Sequence, residues 1–192
     1  MKMMRDIDIR ESLMARLNTQ NAGHDYRIIP EMGICDGLAR VDIAVANGRL
    51  CGYEIKSDAD TLERLPAQKI YYNKTFDKVT IVVGEKYQEL ISQHIPDWWG
   101  IYVARYNKQG KVVIKEARRA RQNKEIEAAS LLELLWKEEL DHLLRKYGIK
   151  GISGKNRRVL RKVAAEKIPL SAIKDYTREA IKTRKEWRSQ QV

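Results

Sequence analysis

The sequence predicts an α/β fold, a mixed sheet with helices packed on it, followed by an all-helical basic appendage. Two observations carry this. Apolar residues recur at helical spacing at the start, then alternate with period two or run unbroken, and after about residue 117 return to helical spacing throughout. Charge changes at the same point: residues 1–116 carry 17 Lys/Arg against 16 Asp/Glu, and residues 117–192 carry 20 against 10. The expected division is therefore 1–116 and 117–192.

In order along the chain, Ile9, Leu13 and Leu17 stand at four-residue steps in "DIDIRESLMARLNTQ", with acids in the first turn, which predicts an amphipathic helix over 6–20. "RIIPEMGI" (27–34) reads as a strand that Pro30 confines to an edge or a bulge. "ARVDIAV" (39–45) alternates Val41, Ile43 and Val45 with Asp42 and Ala44. "ANG" then leads into a further strand, "RLCGYEIKS". Asn47-Gly48 signals a hairpin. We expect a three-residue loop, Ala46-Asn47-Gly48, with Gly48 left-handed, Val45 opposite Arg49 and Asp42 facing Gly52.

Asp60 and Glu63 form a capping-box pattern for a helix from about Asp60, in which Pro66 is a disturbance. "KVTIVVG" (78–84) reads as a strand buried on both faces, "EKYQELISQH" as a helix, and "WGIYVARY" with "KVVIKEA" as a terminal hairpin. In the basic part, Ser130 and Glu133 predict a cap for one helix, "LLELLWKEELDHLLRKY", closed by Gly148. "RRVLRKVAAEK" is a basic helix and Ser171 opens the last, "AIKDYTREAIKTRKEW".

At 192 residues, 43% hydrophobic and 33% charged, the composition excludes disorder, and no apolar run has the length a bilayer requires. Cys35 and Cys51 lack spaced partners, as do His24, His94 and His142, which excludes a zinc set. With no signal-like segment, a reduced, cytoplasmic protein is expected. The net charge of +11 suits either a polyanionic partner or a solvated basic helical surface, and its one-sided distribution tilts the reading toward nucleic acid.

"CGYEIKSDADTLERLPAQ" carries the chemistry. Period two sends Glu54 and Lys56 to one strand face, and the hairpin brings Asp42 to the same side. Two carboxylates beside an ammonium suit Mg²⁺ (or Mn²⁺), a hard ion that acidifies a coordinated water and neutralises charge on a phosphate, with Lys56 to orient the water. The bland alternative is an ordinary salt-bridge cluster on a half-exposed sheet.

Asp42 in "RVDIAV" followed by Glu54-Ile55-Lys56 in "GYEIKS", within this order of elements, resembles the PD-(D/E)XK nuclease superfamily. The likeness is closer to an uncharacterised bacterial and phage family of small proteins within it, through "ARVDIAV", "GYEIKSDADTLERLPAQ", "FDKVTIVVG" and "IPDWWGI". Val41 stands where the superfamily has proline. The resemblance implies a restriction-endonuclease-like core of α-β-β-β-α-β order and metal-dependent cleavage of nucleic acid, with DNA the expected substrate. Asp42 and Glu54 would be metal ligands and Lys56 the catalytic lysine. "QKIYY" matches a Gln-x-x-x-Tyr pattern, which gives Gln68 and Tyr72 as further site residues. Glu31 and Glu11 compete as an additional acidic ligand; Glu31 is favoured, being on the strand expected beside Asp42.

In the basic part, Lys155, Arg157, Arg158, Arg161 and Lys162 are candidates for phosphate contacts that position a nucleic acid without reading its sequence. Trp98-Trp99 reads better as packing than as a base-stacking pair. The competing functions are a catalytically silent nucleic-acid-binding module and a phage or defence interaction protein. The oligomeric state is left open.

Overall fold

A computed structural model describes residues 3–185. Six strands, β1 (Arg27–Ile34), β2 (Ala39–Ala46), β3 (Leu50–Lys56), β4 (Lys78–Val83), β5 (Gly100–Tyr106) and β6 (Val112–Arg118), form one sheet in chain order. β1, β2 and β3 are antiparallel neighbours, β3, β4 and β5 run parallel, and β6 returns antiparallel on β5. The helices are α1 (Asp6–Asn21), α2 (Leu65–Thr75), α3 (Ala128–Glu133), α4 (Lys137–Lys146), α5 (Arg157–Lys167) and α6 (Leu170–Thr183).

Periodicity explains the layering. Ile9, Leu13 and Leu17 of α1 pack with Ile43, Val45, Ile55, Val82 and Tyr102 on one side of the sheet. Val79, Ile81, Val83, Ile101 and Val103 face the other side, with Tyr72, Phe76 and Trp99. That second cluster runs on without a break into Leu131, Leu140, Leu144, Leu160, Ile173 and Ile181. The boundary expected at residue 116 therefore marks a change of composition and does not divide the core. Asp77, buried to 3% exposure, ties the layers together: it accepts the Leu50 amide at 2.8 Å and the Lys174 ammonium at 2.6 Å.

Four expectations are corrected. The β2–β3 loop is Asn47-Gly48-Arg49, with Ala46 opposite Leu50 and Ala44 opposite Gly52, and Gly48 is not left-handed. The Asn47 side chain selects this turn by accepting the Arg49 amide at 2.9 Å while donating to Asn21 at 2.7 Å. α2 begins at Leu65, not near Asp60, because Pro66 is accommodated in its first turn, where an N–H has no intrahelical partner. Asp60 instead accepts both the amide and hydroxyl of Ser57 at 2.7 Å.

Residues 85–94 form two short 3₁₀ turns, Glu85–Tyr87 and Ile91–Gln93, whose amides bond three residues back. Asp58 takes the Lys86 amide at 3.1 Å and draws the first turn toward the end of β3. The long helix expected from Ser130 is divided into α3 and α4. Leu134 and Leu135 tighten to three-residue bonds, and Glu139 caps the Trp136 amide at 2.7 Å to start a new helix, leaving Ser130 buried inside α3. Gly148 closes α4 at φ 68° as expected. α6 starts at Leu170 and is described to Thr183; residues 186 and 187 of the expected last helix lie outside the described residues.

Candidate active cleft

Pairing between β2 and β3 ends at Ile43 opposite Tyr53. Beyond that point β2 stays with β1, β3 stays with β4 as far as Lys56 opposite Val83, and the sheet forks. One more step of the register sets Asp42 across the fork from Glu54. Its Oδ2 accepts the Ile55 amide at 2.7 Å, so a side chain satisfies an N–H that has left the ladder. The fork opens into a cleft of about 380 Å³ whose lining includes Asp42, Glu54, Lys56, Gln68, Arg64 and Tyr71.

Glu54 and Lys56 share a face of β3, as period two requires. The Lys56 ammonium lies 2.8 Å from Glu54 Oε1, with side-chain exposures of 5% and 2%. Gln68 Nε2 donates to Glu54 Oε1 at 2.7 Å and the Tyr72 hydroxyl to Oε2 at 2.6 Å. Burial, then the charge of Glu54, pushes the Tyr72 phenol above its ordinary range, so it remains a proton donor. Its ring stacks on Trp99 at 6.0 Å, and Trp99 Nε1 donates to Asn73; Trp99 is core and Trp98 packs beside it. Among the described residues, Gln68 Oε1 is buried without a partner.

Burial, and next the charge of Glu54, raises the Asp42 carboxyl to about 7. Two carboxylates thus crowd one low-dielectric corner, and a cation there would relieve both. Among the described residues lone pairs remain for it: Asp42 Oδ1 takes one donor from Arg10 at 3.1 Å, and Glu54 Oε2 takes Tyr72 alone. The donor set fits a hard divalent ion held by Asp42 and Glu54 that keeps several waters.

Glu31, expected as a third ligand, lines the cleft but is committed elsewhere. It is left-handed at φ 50°, and its carboxylate pairs with Arg10 at 2.8 Å and Arg40 at 2.9 Å. Glu11 is exposed on α1 and is not among the lining residues. Among the described residues, no three His, Cys, Asp or Glu side chains are grouped to hold a metal.

Two residues were missed. Asp6 lines the cleft from the start of α1, and Arg10, one turn on, bonds Asp6 through Nε at 2.9 Å and reaches Asp42. The i,i+4 Asp–Arg spacing was the available signal.

In the basic part, Lys155, Arg157, Arg158 and Lys162 are exposed. Arg161 is not presented to solvent in the same way. It makes a two-point pair with Asp36 at 2.7 and 2.8 Å and donates to the Glu133 carbonyl, which fastens α5 to the turn before β2.

Residues 2–192 match the family described as bacteriophage P4 protein cII. The chain belongs to that family. It is 32% identical over 186 residues to protein cII of Enterobacteria phage P4, covering 95% of this chain and 69% of the phage protein. A solved structure of a protein of unknown function from Silicibacter pomeroyi aligns with TM-score 0.41 and 18% identity, covering 78% of this chain and 90% of that one. Among the described residues no helix is long and apolar enough to cross a membrane.

Proposed function

We propose that this cII-family chain is a metal-dependent nuclease of restriction-endonuclease-like core, hydrolysing phosphodiester bonds with DNA as substrate. Asp42 and Glu54 hold Mg²⁺ or Mn²⁺. The ion, when bound, supplies charge neutralisation on the scissile phosphate and acidity to water. Lys56 orients the attacking water and answers negative charge as it builds. Gln68 and Tyr72 fix the Glu54 carboxylate so that it cannot turn away, and Arg64 and Tyr71 are on the cleft wall to meet the substrate backbone.

The observation that carries this reading is the buried Glu54–Lys56 pair beside Asp42 on the wall of an open cleft. Desolvating an ion pair costs several kcal/mol per ion, and such a pair is weak support for stability alone. Its position at a fork, against a second carboxylate, is accounted for by chemistry done there.

A second reading is favoured by one fact: Glu54 already accepts three internal donors, and Arg10 stands beside Asp42. A catalytically silent nucleic-acid-binding or interaction protein would look the same. A cleavage panel of single-stranded, duplex and branched DNA and RNA, with Mg²⁺ and with Mn²⁺, separates the two. Cleavage by the wild type and none by Glu54→Gln supports the nuclease; binding without cleavage of any substrate supports the silent protein.

A further inference from the structure

Arg10 is surrounded by acceptors from three separate segments. Nε donates to Asp6 Oδ1 at 2.9 Å and NH2 reaches Asp6 Oδ2 at 3.4 Å; NH2 also donates to Asp42 Oδ1 at 3.1 Å. NH1 donates to the Asp42 carbonyl at 3.0 Å and pairs with Glu31 at 2.8 Å. A guanidinium has five N–H donors in a rigid fork; four of the contacts here are hydrogen bonds, to Asp6 and Asp42, and Glu31 adds an ion pair on NH1. Burial alone would lower the affinity of Arg10 for its proton, but the hydrogen bond and charge of Asp6, with Asp42 and Glu31, hold it above its ordinary value.

We propose that Arg10, bound to three carboxylates that line the cleft, takes the place of a second cation, so that the site takes one divalent ion and not two. This rests on the metal-site reading above and adds to it a count and a residue responsible for the count. Charge balance supports it. Counted with all four carboxylates ionised, Asp6, Glu31, Asp42 and Glu54 face Arg10, Arg40 and Lys56, which leaves one negative charge among these groups. One divalent ion turns that to one positive charge, which a substrate phosphate neutralises. A second ion would leave the cleft strongly positive and would have to approach a guanidinium already hydrogen-bonded to one of its ligands. Arg10 is a positioning residue: it touches Asp42 at both the carboxylate and the carbonyl, and acts on the reaction through it.

The test is a count of Mn²⁺ bound by the full chain, by calorimetry and by the paramagnetic signal of the free ion. The wild type binds one ion. Arg10→Gln, which frees Asp6, Glu31 and Asp42 from their shared cation, binds two. A count of two in the wild type, or equal counts in wild type and Arg10→Gln, overturns the proposal. A wild type that binds none contradicts the metal reading instead, and the difference between the two chains still decides the role of Arg10. Should Arg10→Gln not fold, the Arg10 Nε–H resonance of the wild type is followed as diamagnetic Mg²⁺ saturates the cleft. Retention of a slowly exchanging signal supports the proposal, and its collapse to the position of free arginine means the ion displaces Arg10 and overturns it.

Discussion

The Asp42 carboxylate accepts the Ile55 amide at 2.7 Å, at the step where β2 and β3 part. A side chain that takes over a ladder hydrogen bond lets the sheet open without leaving a buried N–H unpaired. The cleft is thus built by the same residue proposed to hold the ion.

This relationship separates stability from charge at position 42. Asp42→Asn keeps an oxygen for the Ile55 amide, whereas Asp42→Ala orphans it, which costs about 1–3 kcal/mol for a buried donor. Both substitutions remove the carboxylate charge, so their difference reports the side-chain contacts that remain, to the Ile55 amide and toward Arg10. Urea unfolding is expected to find Asn the more stable by ~1–2 kcal/mol; equal midpoints would mean that Ile55 finds water.

Lys56→Met leaves Glu54 buried without its ammonium, and such a break costs about 3–5 kcal/mol. Adding Glu54→Gln removes the stranded charge and is expected to recover much of the loss. A double-mutant cycle in denaturant measures the coupling, and additive losses would show that the two side chains act independently.

Tyr72→Phe deletes the hydroxyl 2.6 Å from Glu54 while keeping the ring stacked on Trp99. A hydrogen bond to a charged group contributes ~1.5–3 kcal/mol. Stability is expected to fall by about that amount with the tryptophan part of the near-ultraviolet dichroism unchanged. A loss of the dichroism would assign Tyr72 to packing alone.

The basic helix yields a paired comparison. Removing Lys155, Arg158 and Lys162 together is expected to weaken DNA binding and reduce the slope of log affinity against log salt by up to about 3, at roughly 0.9 for each phosphate that is no longer neutralised. Arg161→Gln is expected to leave that slope unchanged. The hydrogen bonds from Arg161 hold the Asp36 carboxyl below its ordinary value. A depressed carboxylate stabilises the fold above its unfolded value and loses that contribution as pH falls through the folded one. Wild type is therefore expected to outlast Arg161→Gln above about pH 4, with the gap narrowing in more acid solution to what the Glu133 carbonyl bond contributes. Because Asp36 is 55% exposed, the pH-dependent part of the gap is under ~1 kcal/mol. A salt slope that falls with Arg161→Gln would return Arg161 to the nucleic-acid surface.

The sheet was legible because period two in "ARVDIAV" and an unbroken apolar run in "KVTIVVG" depend only on which faces are covered. The same logic put Glu54 and Lys56 together. The hairpin register was not legible, since the Asn47 side chain chooses among loops whose sequence signals are alike. Pro66 reads as a disturbance because its place within the helix, first turn or interior, is invisible until the start is known. The division after Glu133 escaped because apolar spacing runs through it, while the cap on Trp136 comes from Glu139. Arg10 was hidden for a different reason: Glu31 and Asp42 come to it from strands far along the chain, and only Asp6 is a sequence neighbour.

The most direct test of the central claim is Mg²⁺-dependent cleavage of labelled DNA by wild type and Lys56→Ala side by side, each first shown to be folded. Cleavage by the wild type that chelation stops, and a fall of at least a hundredfold or so with Lys56→Ala, is the predicted result. Cleavage that survives the loss of Lys56, or a wild type that binds DNA and never cuts it, contradicts the account.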